Sequence, residues 1–176
     1  MSSSTQTMSR QVTVDIVVQP PSIIGLTRRL IPPVVARTSD PQLISDVINN
    51  SKQVYATSML TSTNGEDYTS ALNGNWNVTA QLIANSGGSR GGSSSRHSRS
   101  QWLYFVFDPV RIGVQGTYTF TVVISALSLT EGSSVVVGGK TTRPVTVVNQ
   151  AAPPERPSSS ERQVLRQLEA AGLYRP

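Results

Sequence analysis

Residues 102–124 read "WLYFVFDPVRIGVQGTYTFTVVI", and this stretch decides the fold class. Its second half alternates between apolar residues and threonine. The apolar positions are Tyr118, Phe120, Val122 and Ile124, and the threonines are Thr117, Thr119 and Thr121. A period of two is typical of a β-strand with one buried and one solvent-exposed face. The first half, Trp102 to Phe107, is apolar at every position and predicts a central strand.

Short segments with the same period recur along the chain, separated by Gly, Pro and Ser. They are "VTVDIVV" (12–18, with Val12, Val14, Ile16 and Val18 on one face), "VYATSML" (54–60), "WNVTAQL" (76–82) and "VTVV" (145–148). Prolines at Pro20 and Pro21 end the first of them, because proline cannot donate to a ladder. Asn64–Gly65 suits a tight turn. Many short strands between turns predict an all-β, antiparallel sandwich.

The length of 176 residues fits one domain with tails. We predict a disordered tail over 1–11 and one domain over 12–176. Within it, the Gly/Ser/Arg-rich segment 85–101 predicts a flexible loop, and 150–159 a linker. A short C-terminal helix is expected over 160–171. Its signals are a capping box (Ser160 and Gln163), a C′ glycine (Gly172) and one apolar side (Val164, Leu165 and Leu168).

The composition narrows the classes of function. The chain has no cysteine, so disulfides, thiolate chemistry and cysteine zinc sites are excluded. The N-terminus lacks an apolar secretory core, and no apolar stretch approaches the roughly 20 residues of a membrane span. The net charge is +5, and Lys52 and Lys140 are the only lysines. Arginine favours bidentate contacts with phosphate or carboxylate, so a polyanionic or acidic partner is indicated.

Groups for catalysis are sparse. The single histidine, His97, lies in the Gly/Ser/Arg segment, where nothing rigid orients its imidazole as a triad requires. The ten carboxylates are scattered, apart from Glu66–Asp67 at a turn. The sequence therefore predicts a protein that is not an enzyme, with no metal, cofactor or small-molecule substrate.

Basic segments remain as candidate sites. Arg28, Arg29 and Arg37 are predicted DNA-contacting residues, and Arg90, Arg96 and Arg99 form a candidate accessory basic loop. Contacts with phosphates release counterions, so such binding weakens with salt. Each of these segments could instead be a solvated basic loop. The apolar side of the terminal helix, Val164, Leu165 and Leu168, is a candidate surface for a protein partner.

Taken in order, the segments resemble the velvet domain of fungal developmental regulators over about residues 12–176. The matching stretches are "DIVVQPPSIIGLTRRLIPPVV", "YATSML", "LNGNWNVTAQLI", "WLYFVFDPVRIGVQGTYTFTVVI" and "ERQVLRQLEAAGLYRP". The resemblance implies an immunoglobulin/Rel-like sandwich in a nuclear transcriptional regulator that controls sporulation, development and secondary metabolism. It implies homo- or heterodimers with other velvet proteins and contacts with double-stranded DNA through the basic loop, which carries over to Arg28 and Arg29. Shuttling to the cytoplasm is compatible with it, and membrane association is not expected.

Two departures from the family pattern leave alternatives open. Only Gly25-Leu26-Thr27 precedes the arginine pair, where the family loop is usually longer, and "LIPPVV" is one proline and one aspartate short. The first alternative is a velvet-like scaffold or dimer partner that does not bind DNA. The second is a structural β-sandwich protein, which the low charge and the many Ser and Thr residues permit.

Overall fold

The computed structural model describes residues 10–84 and 100–176. Its strands are β1 (Asp15–Val18), β2 (Ile23–Gly25), β3 (Val34–Thr38), β4 (Lys52–Ser62), β5 (Leu72–Gly74), β6 (Asn77–Thr79), β7 (Gln81–Ala84), β8 (Gln101–Phe107), β9 (Val110–Ile112), β10 (Gly116–Ser128), β11 (Ser134–Thr141) and β12 (Val145–Val148). The helices are α1 (Pro41–Ile48) and α2 (Ser159–Ala170), with a 3-10 turn at Thr69–Ala71.

The strands form two main sheets and a small one. The four-stranded sheet has the order β1-β3-β8-β7, and the six-stranded sheet has β2-β12-β10-β4-β6 with β11 also paired to β10. Strands β5 and β9 form a two-stranded sheet. Every pair is antiparallel except β2 with β12. The predicted all-β sandwich with a short C-terminal helix is confirmed.

The stretch that suggested the fold supplies the centre of both main sheets. Strand β10 buries Tyr118, Phe120, Val122 and Ile124 between the sheets, each at 2% exposure or less. Strand β8 lies between β3 and β7 and buries side chains on both faces, as its unbroken apolar run predicts. Burial of such a face is the main source of stability in a sheet, at roughly 25 cal/mol per Å² of apolar surface.

Residues 76–82 do not form the single strand that their alternation predicts. They form β6 in the six-stranded sheet and β7 in the four-stranded sheet. Between the two strands the backbone N–H of Ala80 donates to the carbonyl of Val54 at 2.9 Å. The chain therefore crosses from one sheet to the other here, and Trp76 and Leu82 remain 37% exposed instead of lining the core.

The segment 12–18 also differs from the prediction that its alternating apolar residues share one buried face. The register between β1 and β3 shifts between Ile16 and Val18, which marks an irregularity of the β-bulge kind. Val14 and Ile16 pack into the core between the sheets, whereas Val18 packs into a second apolar cluster. One extra residue in the strand thus moves Val18 to the opposite side of the sheet.

Helix α1 lies in a part of the chain for which the sequence analysis predicts no element. Asp40 is its N-cap and accepts from the N–H of Leu43 at 3.0 Å, and Pro41 opens the first turn. Both are strong helix-start signals. Its buried Leu43 and Ile44 pack into the core between the sheets.

Helix α2 covers the outer side of the four-stranded sheet. Leu165 and Leu168 pack with Val18, Val35 and Tyr104 in the second apolar cluster, and Val164 is partly buried against it. This corrects the prediction of a partner-contact surface at Val164, Leu165 and Leu168, because their side of the helix is covered by the chain's own sheet.

The capping box of α2 lies two residues before the predicted one. Ser158 is the N-cap and Glu161 the N3 residue, and each side chain accepts from the other's backbone N–H, at 3.2 and 2.8 Å. The helix spans 159–170 instead of 160–171. Gly172, with φ of 73°, occupies the predicted C′ position. Within residues 10–84 and 100–176, neither helix is long and apolar enough to cross a membrane.

Two glutamates join the C-terminal segment to the chain between β1 and β2. Glu155 accepts from the hydroxyl and backbone N–H of Ser22, at 2.5 and 2.7 Å, and these bonds lower the pKa of its carboxyl. Burial raises the pKa of Glu161, but hydrogen bonds from the backbone N–H groups of Gln19 and Ser158 outweigh it, so the net shift is downward.

These shifts predict a loss of stability in acid. A carboxyl with a depressed pKa in the folded chain stabilises it above the unfolded pKa near 4.5, and that contribution falls as protonation proceeds below it. We expect the free energy of unfolding, measured by urea titration, to decline below pH 4.5. The decline should be shallower in Glu161→Gln, and an equally steep decline in that variant would contradict the assignment.

Candidate nucleic-acid interface

The loop that carries Arg28 and Arg29 is held by backbone hydrogen bonds along its length. Leu26 donates to the carbonyl of Val148 at 2.8 Å, and Thr27 to that of Ile112 at 3.0 Å. Leu30 donates to the carbonyl of Val110 at 2.9 Å. The loop therefore runs along β9 as a short extension of the two-stranded sheet, with its backbone position fixed at both ends.

Arg29 is engaged within the chain. Its Nε and Nη2 donate to the two carboxylate oxygens of Asp108 at 2.9 and 2.7 Å, and Nη2 also donates to the carbonyl of Arg175 at 2.6 Å. The hydrogen bond to Asp108 raises the pKa of Arg29. Side-chain exposure is 28% for Arg29 and 11% for Asp108, so the pair is largely shielded from water. The prediction that Arg29 presents a free guanidinium to DNA is wrong.

The turn that carries Asp108 is fixed from the other side by β5. Asn75 donates from its side-chain amide to the carbonyl of Asp108 and from its backbone to that of Pro109, both at 2.8 Å. Gly74 has φ of 99°, and a Cβ there would lie 2.1 Å from the Pro109 carbonyl oxygen. Only glycine permits this approach, so Gly74 and Asn75 set the position of the carboxylate that holds Arg29.

Arg28 and Arg111 are both exposed, and both adjoin Arg29 in the backbone. Arg111 lies directly opposite Arg29 in an antiparallel bridge, and the exposed Arg175 follows α2 at the point where its carbonyl accepts from Arg29. We call Arg28, Arg29, Arg111, Arg175 and Asp108 the basic corner. These residues carry four guanidinium groups and one carboxylate, so their net charge is positive. Arg29 joins the loop to Asp108 and to the carbonyl of Arg175.

The sequence analysis does not select Arg111 or Arg175 as site residues. Both stand alone among uncharged neighbours, so no local charge run marks them. A signal was nevertheless present, because Arg111 follows the Asp-Pro turn of the stretch that resembles the velvet domain, and Arg175 belongs to the basic tail after the helix. Their proximity to Arg28 and Arg29 depends on the pairing of distant segments.

Arg37 does not join the basic corner. Its guanidinium carbon lies 3.9 Å from the centre of the Trp102 ring, and Nη1 donates to the Tyr104 hydroxyl at 3.3 Å. Its position in β3 is three residues, roughly 10 Å, beyond Val34 at the corner end. A half-buried arginine stacked on an indole contributes a cation–π contact to packing, and the geometry gives no support to the predicted DNA contact at Arg37.

The predicted accessory residues Arg90, Arg96 and Arg99 lie outside the described residues, as does His97. The described residues on either side, Ala84 and Ser100, adjoin the start of β8. Asp108 follows the other end of that strand. In the described part of the chain, His, Asp and Glu form no group of three or more that could hold a metal ion.

Comparison with known proteins does not identify a relative. No family model matches the chain, and no curated protein does. Among solved structures, the chain is similar to a ceramidase complexed with C2, at 14% identity and a TM-score of 0.36 over 84% of this chain; it spans only 21% of the ceramidase chain. It is also similar to a structure from the AAF fimbriae of enteroaggregative Escherichia coli, at 13% identity and a TM-score of 0.28, covering 77% of this chain and 100% of the other. Similarities this low have no bearing on function.

Proposed function

We propose that this chain is a nuclear, DNA-binding regulator of the velvet type that acts in fungal development, sporulation and secondary metabolism. One observation supports the DNA-binding part most directly. Arg28 and Arg111, two of the exposed arginines of the basic corner, both adjoin Arg29, whose ion pair with Asp108 ties the loop to the turn after β8. The resemblance stated above supplies the nuclear and regulatory part of the proposal.

The roles that we propose for the arginines differ from those that the sequence predicts. Arg28 and Arg111 contact phosphate oxygens, because guanidinium groups bind phosphates in a bidentate manner. Arg29 is a positioning residue that fixes the loop through Asp108 and the C-terminal tail. Phosphate contacts of this kind set position on a duplex without reading its sequence, so target selection requires further contacts or a second subunit.

The test is titration of a mixed-sequence duplex of about 30 base pairs at several salt concentrations. Each lost phosphate contact lowers the slope of log affinity against log salt by about 0.9. We expect the double variant Arg28→Ala/Arg111→Ala to bind more weakly and to lower the slope by about 1.8. Lys140→Ala, which removes an exposed cation from β11, is the matched control and should keep more of the affinity. An unchanged slope in the double variant would remove the basic corner from the interface.

The scaffold that does not bind DNA is the second candidate, and the pairing of Arg29 favours it. One of the two loop arginines is neutralised by Asp108, which reduces the charge available for phosphate. This candidate predicts no measurable binding of the wild-type chain to duplex DNA even at low salt. The structural β-sandwich is the third candidate, and recovery of the protein outside the nucleus on cell fractionation would favour it over both regulators.

A further inference from the structure

A cavity of about 270 Å³ lies between helix α1, the start of β4 and the hairpin formed by β10 and β11. We call it the hairpin cavity. The apolar part of its lining belongs to the core between the sheets, where Leu43 and Ala126 are buried and Val12 and Val137 are partly buried. A water molecule takes up about 30 Å³ in the liquid, so the cavity has room for a small organic molecule. It shares no residue with the basic corner.

Hydrogen bonds hold the walls of the hairpin cavity in place. The backbone N–H of Val12 donates to the carbonyl of Val137 at 2.8 Å. The turn of the hairpin is closed by two further backbone bonds, from Ser128 to the carbonyl of Ser133 and from Gly132 to that of Ser128, both at 2.9 Å. A ligand therefore enters walls that are already formed, which reduces the entropy lost on binding.

Charged side chains also line the hairpin cavity, and the carboxylates outnumber the cations. The carboxylates are those of Asp40, Asp46 and Glu131, and the cations are Arg10 and Lys52. Arg10 forms an ion pair with Asp40, so the unbalanced negative charge lies with the other three residues. This excess is local, because the chain as a whole has a net charge of +5. A negative lining favours a cationic ligand.

Asp46 gives the clearest indication of what the ligand contributes. Its side chain is 7% exposed, and its Oδ1 accepts from the side-chain amide of Gln42 at 3.1 Å and from the hydroxyl of Ser51 at 3.0 Å. Its Oδ2 is buried, and within residues 10–84 and 100–176 no group donates a hydrogen bond to it. Lys52 Nζ lies 3.5 Å from this oxygen, on a side chain that is 42% exposed. A buried carboxylate oxygen without a donor is costly, so a ligand that supplies the donor is favoured.

We propose that the hairpin cavity binds a small organic ammonium ion, a protonated primary amine on an apolar body of about six carbon atoms. The ammonium group donates to Oδ2 of Asp46 in place of Lys52, whose exposed side chain withdraws into solvent. It suits this oxygen because it brings three donors and a positive charge. The apolar body lies against Leu43 and Val137, where burial of its surface favours binding. The proposal concerns binding alone, assigns no reaction and does not depend on DNA binding.

Calorimetric titration of the untagged full chain with hexylamine near pH 7 tests the proposal. Hexylamine is protonated at this pH, because an alkylamine has a pKa of about 10, as lysine has. Hexanol is the neutral control and hexanoate the anionic one. We expect one hexylammonium ion to bind per chain with a Kd below about 10 mM. Hexanol should bind at least about tenfold more weakly, and hexanoate should not bind.

Variants of the two paired residues assign the binding to Asp46. Asp46→Asn keeps an acceptor for Gln42 and Ser51 but loses the charge, so the affinity for hexylamine should fall at least about tenfold. Lys52→Met removes the competing cation and should raise the affinity by about two- to fivefold. Lys140→Met makes the same change of charge at an exposed residue of β11 outside the cavity. It is the matched control and should bind hexylamine like the wild type.

Equal binding of hexylamine and hexanol would overturn the proposal, and so would an unchanged affinity in Lys52→Met. The second result is decisive even if Asp46→Asn fails to fold, because Lys52 is an exposed side chain whose replacement leaves the core intact. Failure of the wild-type chain to bind hexylamine saturably below about 10 mM would overturn the proposal as well.

Discussion

Replacing Leu168 by alanine should lower the free energy of unfolding by about 2–5 kcal/mol, the range for a large aliphatic side chain removed from a packed core. Leu168 is fully buried, and it joins α2 to Val35 and Tyr104 on the outer side of the four-stranded sheet. For a chain of this size each kcal/mol moves Tm by roughly 2–4 °C. Calorimetry should therefore show a fall of roughly 4–20 °C.

Arg166→Ala is the matched control for this change. Arg166 lies two residues earlier in the same helix and is exposed, so its replacement should alter the unfolding free energy by no more than about 0.5 kcal/mol. If Leu168→Ala unfolds at the wild-type temperature, α2 contributes no packing energy and the second apolar cluster is not a core.

Replacing Asp108 by asparagine should destabilise the chain by about 1.5–3 kcal/mol, the usual contribution of a hydrogen bond to a charged group. The amide keeps the size of the side chain but leaves the partly buried guanidinium of Arg29 without its counter-charge. Chemical denaturation measures the change. Arg28→Ala is the control, because Arg28 is exposed in the same loop and should change stability by less than about 0.5 kcal/mol.

A double-mutant cycle separates the ion pair from other effects of these changes. Arg29→Ala and Asp108→Asn remove the same interaction, so the double variant should be less destabilised than the sum of the two singles, by about 1–3 kcal/mol. Additive effects would show that Arg29 and Asp108 do not act together, and the bracing role assigned to Arg29 would be withdrawn.

The alternation of side chains predicts the architecture well because sheet burial is a local pattern. The inward Tyr118 and Phe120 of β10 are each followed by a threonine, and the period of two needs no knowledge of the partner strand. The same rule fails at residues 76–82, where the crossing depends on a hydrogen bond between Ala80 and Val54. The same alternation is compatible with one strand or with two. Pairing with strands distant in the sequence, β4 and β8, decides between them.

The candidate site could be predicted only in part, for a related reason. Arg28 and Arg29 are visible as an adjacent pair, but Asp108 lies 79 residues from Arg29 and Arg175 lies 146 residues from it. Whether an arginine is free or paired depends on such distant contacts. The capping of α2 shows the same effect on a smaller scale. Ser158 and Ser160 both begin an S-x-x-E/Q pattern, and Glu161 also accepts from Gln19 across the fold.

The bond from Arg29 to the carbonyl of Arg175 has a practical consequence for handling the protein. Anything fused after Pro176 begins one residue from that carbonyl, beside the ion pair of Arg29 and Asp108. A histidine tag or fluorescent fusion at this end would occupy the surface that a duplex is proposed to approach. Affinity handles therefore belong ahead of Arg10, where the backbone of Val12 is bonded to β11 through Val137.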